Sequence, residues 1–301
     1  MTSSLVSHHM VTHDLFESFF DTINSMIDIL EKRHKFSSGM SGLLTGLTMF
    51  GLAYSLSISK TRTSYRRTFL GPFWLSIEQF LFTSGFFAIS SALFGGQVAG
   101  RIEHVALGLV GFGLVSGMVS GSADLPNSFQ GLKNSQLPIA FGVLAQILHL
   151  WHLTIYRLLG VIPLLVFGTT ITPRLIAIVT VPFAVAILTC FGLGVGLFLG
   201  LISIRFRDTK PILDSASRIA FFCTPVFWTM EDVKESRGLL DLSRFDTFNP
   251  YSAFTNLFRS AIRCQSISQL FTTSIACWLS VFSIAGIVTY LVLHHRIRVW
   301  L

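Results

Sequence analysis

Arg66 and Arg67 stand side by side just before a long apolar run, in the stretch Lys60-Thr61-Arg62-Thr63-Ser64-Tyr65-Arg66-Arg67-Thr68-Phe69-Leu70-Gly71-Pro72-Phe73-Trp74. A guanidinium pairs well with phosphate, so the chemistry they offer is anion capture. The plain alternative is that they hold anionic headgroups or only set topology. His149 and His152 are three residues apart and share one helical face. Two imidazoles alone make a poor metal site, so packing against a polar cavity or another helix is the favoured reading. Glu78 is a lone carboxylate one turn inside an apolar run. Such a group is costly unless it faces protein or water, which makes a functional or dimer-facing role the default. Other reactive signatures are missing. The sequence has no Gly-x-x-x-x-Gly-Lys-Ser/Thr phosphate loop, no Gly-x-Ser-x-Gly elbow and no carboxylate pair inside the apolar runs. Cys190, Cys223, Cys264 and Cys277 lack metal-ligand spacing, and no disulfide framework is expected. His8, His9 and His13 fall in a polar stretch that reads as a solvated tail.

The elements that position these residues belong to a membrane. Of the 301 residues, 51% are hydrophobic and only 12% are charged, with 29 Phe. A soluble domain carries about 25% charge. The composition predicts an all-α integral membrane protein, because helices satisfy their own backbone groups in lipid and alternating strand patterns are absent. The net charge of +7 fits basic cytoplasmic loops. No soluble basic domain stands out, so no nucleic-acid partner is expected.

Three regions follow. Residues 1–40 form an N-terminal cytoplasmic tail with an amphipathic helix: Leu15, Phe16, Phe19, Phe20, Ile23, Met26, Ile27 and Leu30 share one face, and Asp14, Glu17, Asp21, Asp28 and Glu31 the other. With those acids and no small-residue cleavage site, this does not read as a signal peptide. Its acidic face suits a protein partner. Residues 41–72 hold a Gly/Ser-laced helix, read as interfacial with an additional span as its rival, and then the basic stretch. Residues 73–301 hold six predicted spans at about 73–94, 104–122, 139–158, 174–203, 212–229 and 271–293, with a turn or kink near Gly160–Pro163. Gly108, Gly111, Gly113, Gly117 and Gly121 give the second span small-xxx-small spacing, which predicts close helix packing.

Six spans put both termini on one side. That side gathers Lys32, Arg33, Lys35, Lys60, Arg62, Arg66, Arg67, Lys133, Arg205, Arg207, Lys210, Arg296 and Arg298; the other has Arg101 and Arg174, with Lys234, Arg237, Arg244, Arg259 and Arg263 in the long loop 230–270, where charges weigh less. The richer side is the cytoplasmic one.

Four landmarks then carry a resemblance. Tyr65-Arg66-Arg67-Thr68-Phe69-Leu70-Gly71-Pro72-Phe73-Trp74, the loop Ser203–Pro211 with Arg205-Phe206-Arg207-Asp208, Thr224-Pro225-Val226-Phe227-Trp228, and Phe248-Asn249-Pro250 occur in the order found in permease subunits of ABC exporters for polysaccharides and polyol phosphates. The chain resembles that family, which exports O-antigen, capsule and teichoic-acid polymers, over about residues 60–260. The resemblance implies a six-span permease in the bacterial inner membrane, both termini cytoplasmic, working as a homodimer. ATP is used by a separate ATP-binding cassette ATPase subunit, and no cofactor is bound by this chain.

It further implies that a lipid-linked polysaccharide, O-antigen foremost, passes between two permeases. Tyr65, Arg66 and Arg67 become the substrate mouth and phosphate site. Phe73, Trp74, Phe80 and Phe87, with Phe82 and Phe86, become aromatic channel surface on which a sugar polymer slides without one fixed register; plain lipid-facing Phe is the alternative. The loop 123–138 becomes the coupling helix, with Asp124, Gln130 and Lys133 joined by Arg207 and Asp208 as ATPase contacts. Pro225, Trp228, Asn249 and Pro250 mark short outer gate helices. Two readings compete: a membrane enzyme of lipid-linked glycan assembly with His149 and His152 as bases, and a secondary transporter, which requires inverted repeats that the sequence does not show.

Overall fold

A computed structural model of the chain describes residues 39–94, 98–126, 137–168, 177–228, 248–263 and 272–293. The amphipathic helix expected before residue 38, Gln130, Lys133 and all of residues 229–247 lie outside them. Among the described residues the chain is all helical, without a strand. The helices are α1 (Gly39–Thr48), α2 (Phe50–Ser64), α3 (Trp74–Phe94), α4 (Val98–Ser122), α5 (Ile139–Gly168), α6 (Ala177–Arg205), α7 (Thr209–Cys223), α8 (Pro250–Ile262) and α9 (Thr273–Leu293).

Stretches within α4, α5, α6 and α9 are long and apolar enough to cross a membrane, and the pair α1–α2, bent by 63°, makes a fifth if it counts as one span. This fits a multi-pass membrane protein. Two of the six expected spans differ in kind. α3 carries Glu78 and Gln79 within its apolar sequence. α7 is only 15 residues long and carries Lys210, Asp214 and Arg218. The expected break near Gly160–Pro163 is absent: α5 runs unbroken for 30 residues with Pro163 inside it. Apolar helices tolerate proline because neighbouring helices hold the chain in line.

The core lies where α4, α5, α6 and α8 meet. Phe191 of α6 stacks on Phe254 of α8 with ring centroids 3.8 Å apart. Both are fully buried, as are Leu107, Leu114, Leu188 and Leu201. Several glycines of α4 do a different job from the one their spacing predicts. Gly108 lies against the Val226 backbone, but the next ones make room for large side chains of neighbouring helices. A Cβ on Gly113 would lie 3.0 Å from the Arg157 guanidinium, one on Gly117 3.0 Å from Leu150, and one on Gly111 2.9 Å from Phe258. Backbones do touch elsewhere, at Gly160 against Ser76 and at Gly194 against Gly286.

The bundle has two chemically distinct ends. The basic end holds Lys60, Asp124 and Lys210; Lys210 Nζ is 2.9 Å from Asp124 Oδ2. The hydrogen bond from Lys210 to Asp124 raises the lysine above its ordinary value, so the stability this shift contributes is lost as pH rises through the raised lysine value. The opposite end holds Glu103, His104, Arg259 and Arg263, with Arg263 Nε 2.9 Å from Glu103 Oε1. Among the described residues, the side-chain hydrogen bonds from α2 to another helix land on residues 146–152 of α5.

Candidate functional site

α7 crosses the bundle despite its length. At its start, Lys210 is tied to Asp124 just past the end of α4. Beyond its end, the carbonyls of Pro225 and Trp228 accept from His104 Nε2 at 3.1 and 3.2 Å. Asp124 and His104 are roughly 30 Å apart along α4 at 1.5 Å per residue. The segment 209–228 therefore covers the same height as α4, first as helix and then as an extended end. Its amphipathic composition hides this from hydropathy. Arg218 falls near the middle of that height and is exposed.

α3 approaches α7 only near the opposite end. Phe86 meets Phe221 at 6.3 Å and Phe227 at 5.8 Å between centroids. Phe112 of α4 closes on Phe221 at 5.2 Å and stacks on Tyr251 of α8 at 5.6 Å. This aromatic cluster joins four helices. Toward the basic end no described ring contact, hydrogen bond or ion pair joins α3 to α7. The α4 stripe Gly113, Gly117 and Gly121 does not line the space between them, being covered by Arg157, Leu150 and Gln146 of α5. The two helices therefore bound a groove that no described hydrogen bond, ion pair or ring contact spans at the basic end and that aromatic rings close at the other. Tyr65 sits beside it, within electrostatic reach of Arg157 and Glu78; burial holds the Tyr65 phenol above its ordinary value.

Arg66 and Arg67 are exposed and follow directly on α2. Arg67 adopts φ 79°, a left-handed conformation that costs a non-glycine residue roughly 1 kcal/mol. Gly71, at φ 57°, does so without cost, and nothing lies within 4 Å of where its Cβ would be. Opposite outcomes are expected: Gly71→Ala lowers stability by about 1 kcal/mol, and Arg67→Gly raises it by a similar amount. Thermal unfolding in detergent checks both, and equal shifts of one sign would refute the strain.

The aromatics divide. Phe73 and Trp74 are more than half exposed, and Phe73 packs edge-on to Tyr156 at 5.6 Å. Phe80 is exposed, Phe87 half-buried. Phe86, named only in passing by sequence reasoning, is the ring that closes the groove. Of the residues expected to contact an ATPase, Asp124 is engaged with Lys210, whereas Arg207 and Asp208 are exposed at the turn before α7 and form no described ion pair with each other.

The landmarks expected at the outer side are brought together, although 25 residues separate them. Asn249 caps α8 by accepting from Tyr251 N at 3.0 Å, and its Nδ2 donates to Thr224 Oγ1 at 3.0 Å. Pro250 takes the first position of α8, where its missing N–H is no loss. Arg259, 5% exposed, donates to Pro225 O at 3.0 Å and Asn256 Oδ1 at 2.8 Å. Arg263 meets Glu103 near the far end of α4, while Tyr251 meets Phe112 and Ser217 well inside the bundle. So α8 starts inside and climbs outward.

His149 and His152 join helices. Thr61 Oγ1 donates to Ser57 O and lies 3.0 Å from His149 Nδ1; Ser57 Oγ donates to Tyr54 O and lies 3.1 Å from His152 Nδ1. Each hydroxyl has spent its one proton on the backbone, so each Nδ1 must donate. Lys60 Nζ adds a 2.6 Å bond to Gln146 Oε1. This seam binds α2 to α5. Among the described residues no group of three His, Cys, Asp or Glu side chains is placed to hold a metal.

Sequence reasoning overlooked Arg218. The signal was present: a cation inside a stretch otherwise read as a span. No family model matches this chain, and no curated protein matches it.

Proposed function

We propose that the chain is the membrane permease subunit of an ATP-driven exporter that moves a lipid-linked polysaccharide, O-antigen foremost, across the bacterial inner membrane. The observation that carries this reading is the groove between α3 and α7. Its walls are untied toward the basic end and closed by aromatic rings at the other. The basic end is then cytoplasmic, with both termini on that side. Arg66 and Arg67, exposed beside the groove's open end, receive the phosphate of the lipid carrier. The exposed aromatic rings of α3 suit a sugar chain moving without one fixed register. The ring cluster around Phe86 is the seal that must part for export. Asn249 and Pro250 set the gate segment, and Asp124, Arg207 and Asp208 face a separate ATPase from the cytoplasm. A second copy supplies the other half of the path.

A tagged chain recovered from its native membrane should bring down an ATPase with a phosphate loop, and the chain purified alone should hydrolyse no ATP. Robust hydrolysis by the lone chain, or no such partner, would refute the reading. Arg66→Ala with Arg67→Ala should abolish surface polymer while the protein still inserts; normal surface polymer would remove the phosphate role.

A further inference from the structure

Arg218 and Glu78 share a predicament. Each is exposed on a helix that crosses the bundle, and among the described residues neither takes part in an ion pair. Arg218 lies roughly 12 Å above Lys210 along α7, at mid-height. Glu78 lies two turns below Phe86, the ring that meets Phe221. Arg218 lies one turn below Phe221. The backbone heights differ by about 7 Å. Helical side chains lean toward their own N-terminus, which is the basic end for both helices, and the longer arginine side chain reaches further that way than the glutamate, which narrows the gap. Nearby groups do not satisfy the pair. Arg157, near Glu78, is tucked against Gly113, and Asp214 faces Lys210 at 3.9 Å.

The surroundings decide what must cover these charges. On α3, Leu81 and Phe82 are 62% and 50% exposed; on α7, Ile219 and Phe222 are 67% and 68% exposed. Lipid suits those side chains but not an arginine at mid-height. Water suits the arginine but not the row of Phe, Ile and Leu. A protein surface with the same mixture in reciprocal order suits both. Two copies related by a two-fold axis along the bundle keep their heights, and residue i of one meets residue j of the other twice over.

We propose that Glu78 pairs with Arg218 of the partner subunit, and Arg218 with Glu78 of the partner subunit, so that two ion pairs at mid-height join the copies. This rests on the reading of the chain as one of two subunits around a path, and it adds the contact that sets their register. Removing one member leaves an unpaired charge in an apolar contact, which is strongly unfavourable, whereas reversing both restores the attraction.

The test uses the full chain with Cys190, Cys223, Cys264 and Cys277 replaced by Ser. Two differently tagged copies are expressed together, one Glu78→Cys and one Arg218→Cys, and treated in the membrane with a bismaleimide crosslinker, because backbones that an Arg–Glu pair can span lie beyond disulfide reach. A crosslinked band carrying both tags, absent when Glu78→Cys is paired with an unsubstituted copy, is expected. Recovery of one tag through the other should fall about tenfold in Glu78→Arg and in Arg218→Glu, and return in the double reversal. Copies that co-purify without the crosslink and without charge rescue would overturn the pair while leaving the dimer standing. Copies that do not co-purify at all would overturn both the pair and the dimeric reading. A crosslink formed only within one chain carrying both cysteines would assign the charges to closure of a single groove instead and overturn the proposal.

Discussion

Gly286→Leu should prevent α9 from docking on α6. A Cβ on Gly286 would lie 2.5 Å from Gly194 O and 3.2 Å from its carbonyl carbon, and a Cβ on Gly194 would lie 2.8 Å from the carbonyl carbon of Phe282. Each contact is with backbone, so no rotamer change relieves it. The two helices must move apart along the whole interface. In a membrane this is severe, because helices are held by close packing rather than by expulsion of water. The separation also loosens Phe282 from Phe191, which meet edge-on at 5.5 Å. A loss of about 3 kcal/mol is expected, at the upper end of overpacking costs. Gly51→Leu is the control, since nothing lies within 4 Å of its Cβ position. Thermal unfolding in detergent, read by loss of the monodisperse peak, checks the pair. Equal midpoints for Gly286→Leu and the parent would sink the packing argument.

Arg259→Met should cost nearly as much, for an electrostatic reason. The guanidinium is 5% exposed and links the end of α7, through Pro225 O, to α8, through Asn256 Oδ1. Charged hydrogen bonds contribute roughly 1.5–3 kcal/mol each, and their loss leaves buried acceptors short of a donor. About 2–4 kcal/mol is expected. Arg259→Lys should rescue little, since one ammonium cannot reproduce the fork that reaches both acceptors. Gly108→Val should imitate the loss, because its new side chain enters the space of the same guanidinium and sits 3.2 Å from Val226 O at its Cβ. Full stability of Arg259→Lys would show that charge alone, not fork geometry, holds the junction.

The two effects explain why the ends of the bundle differ. At the basic end the ties are exposed ion pairs such as Lys210 with Asp124, at 42% and 36% side-chain exposure, and such pairs add little to stability. At the opposite end they are buried bonds to backbone carbonyls, which resist parting. A groove that opens readily on one side and is held shut on the other follows from that asymmetry.

The all-helical class, several of the membrane-length runs and the basic end are properties of composition and run length, which is why the bounds of residues 73–94, 104–122, 174–203 and 271–293 fall within three residues of those of α3, α4, α6 and α9, except for a difference of six at the start of the second. Local chemistry also marked Asn249-Pro250 as a helix start, because an Asn cap followed by Pro satisfies helix-end geometry from neighbouring residues alone.

Three things were decided only by tertiary structure. Several glycines of α4 receive Arg157, Leu150 and Phe258 instead of another backbone, because the same spacing serves either purpose until a neighbour is chosen. His149 and His152 turn out to hold α2, since a hydroxyl partner 88 or 95 residues away leaves no trace in sequence spacing. And α7, read from the sequence as a span at about 212–229, is a helix of only 15 residues, and the segment 209–228 covers the height of α4 because Asp124 and His104 fasten its two ends. Periodicity reports which face of a helix is apolar; only packing reports what that face meets.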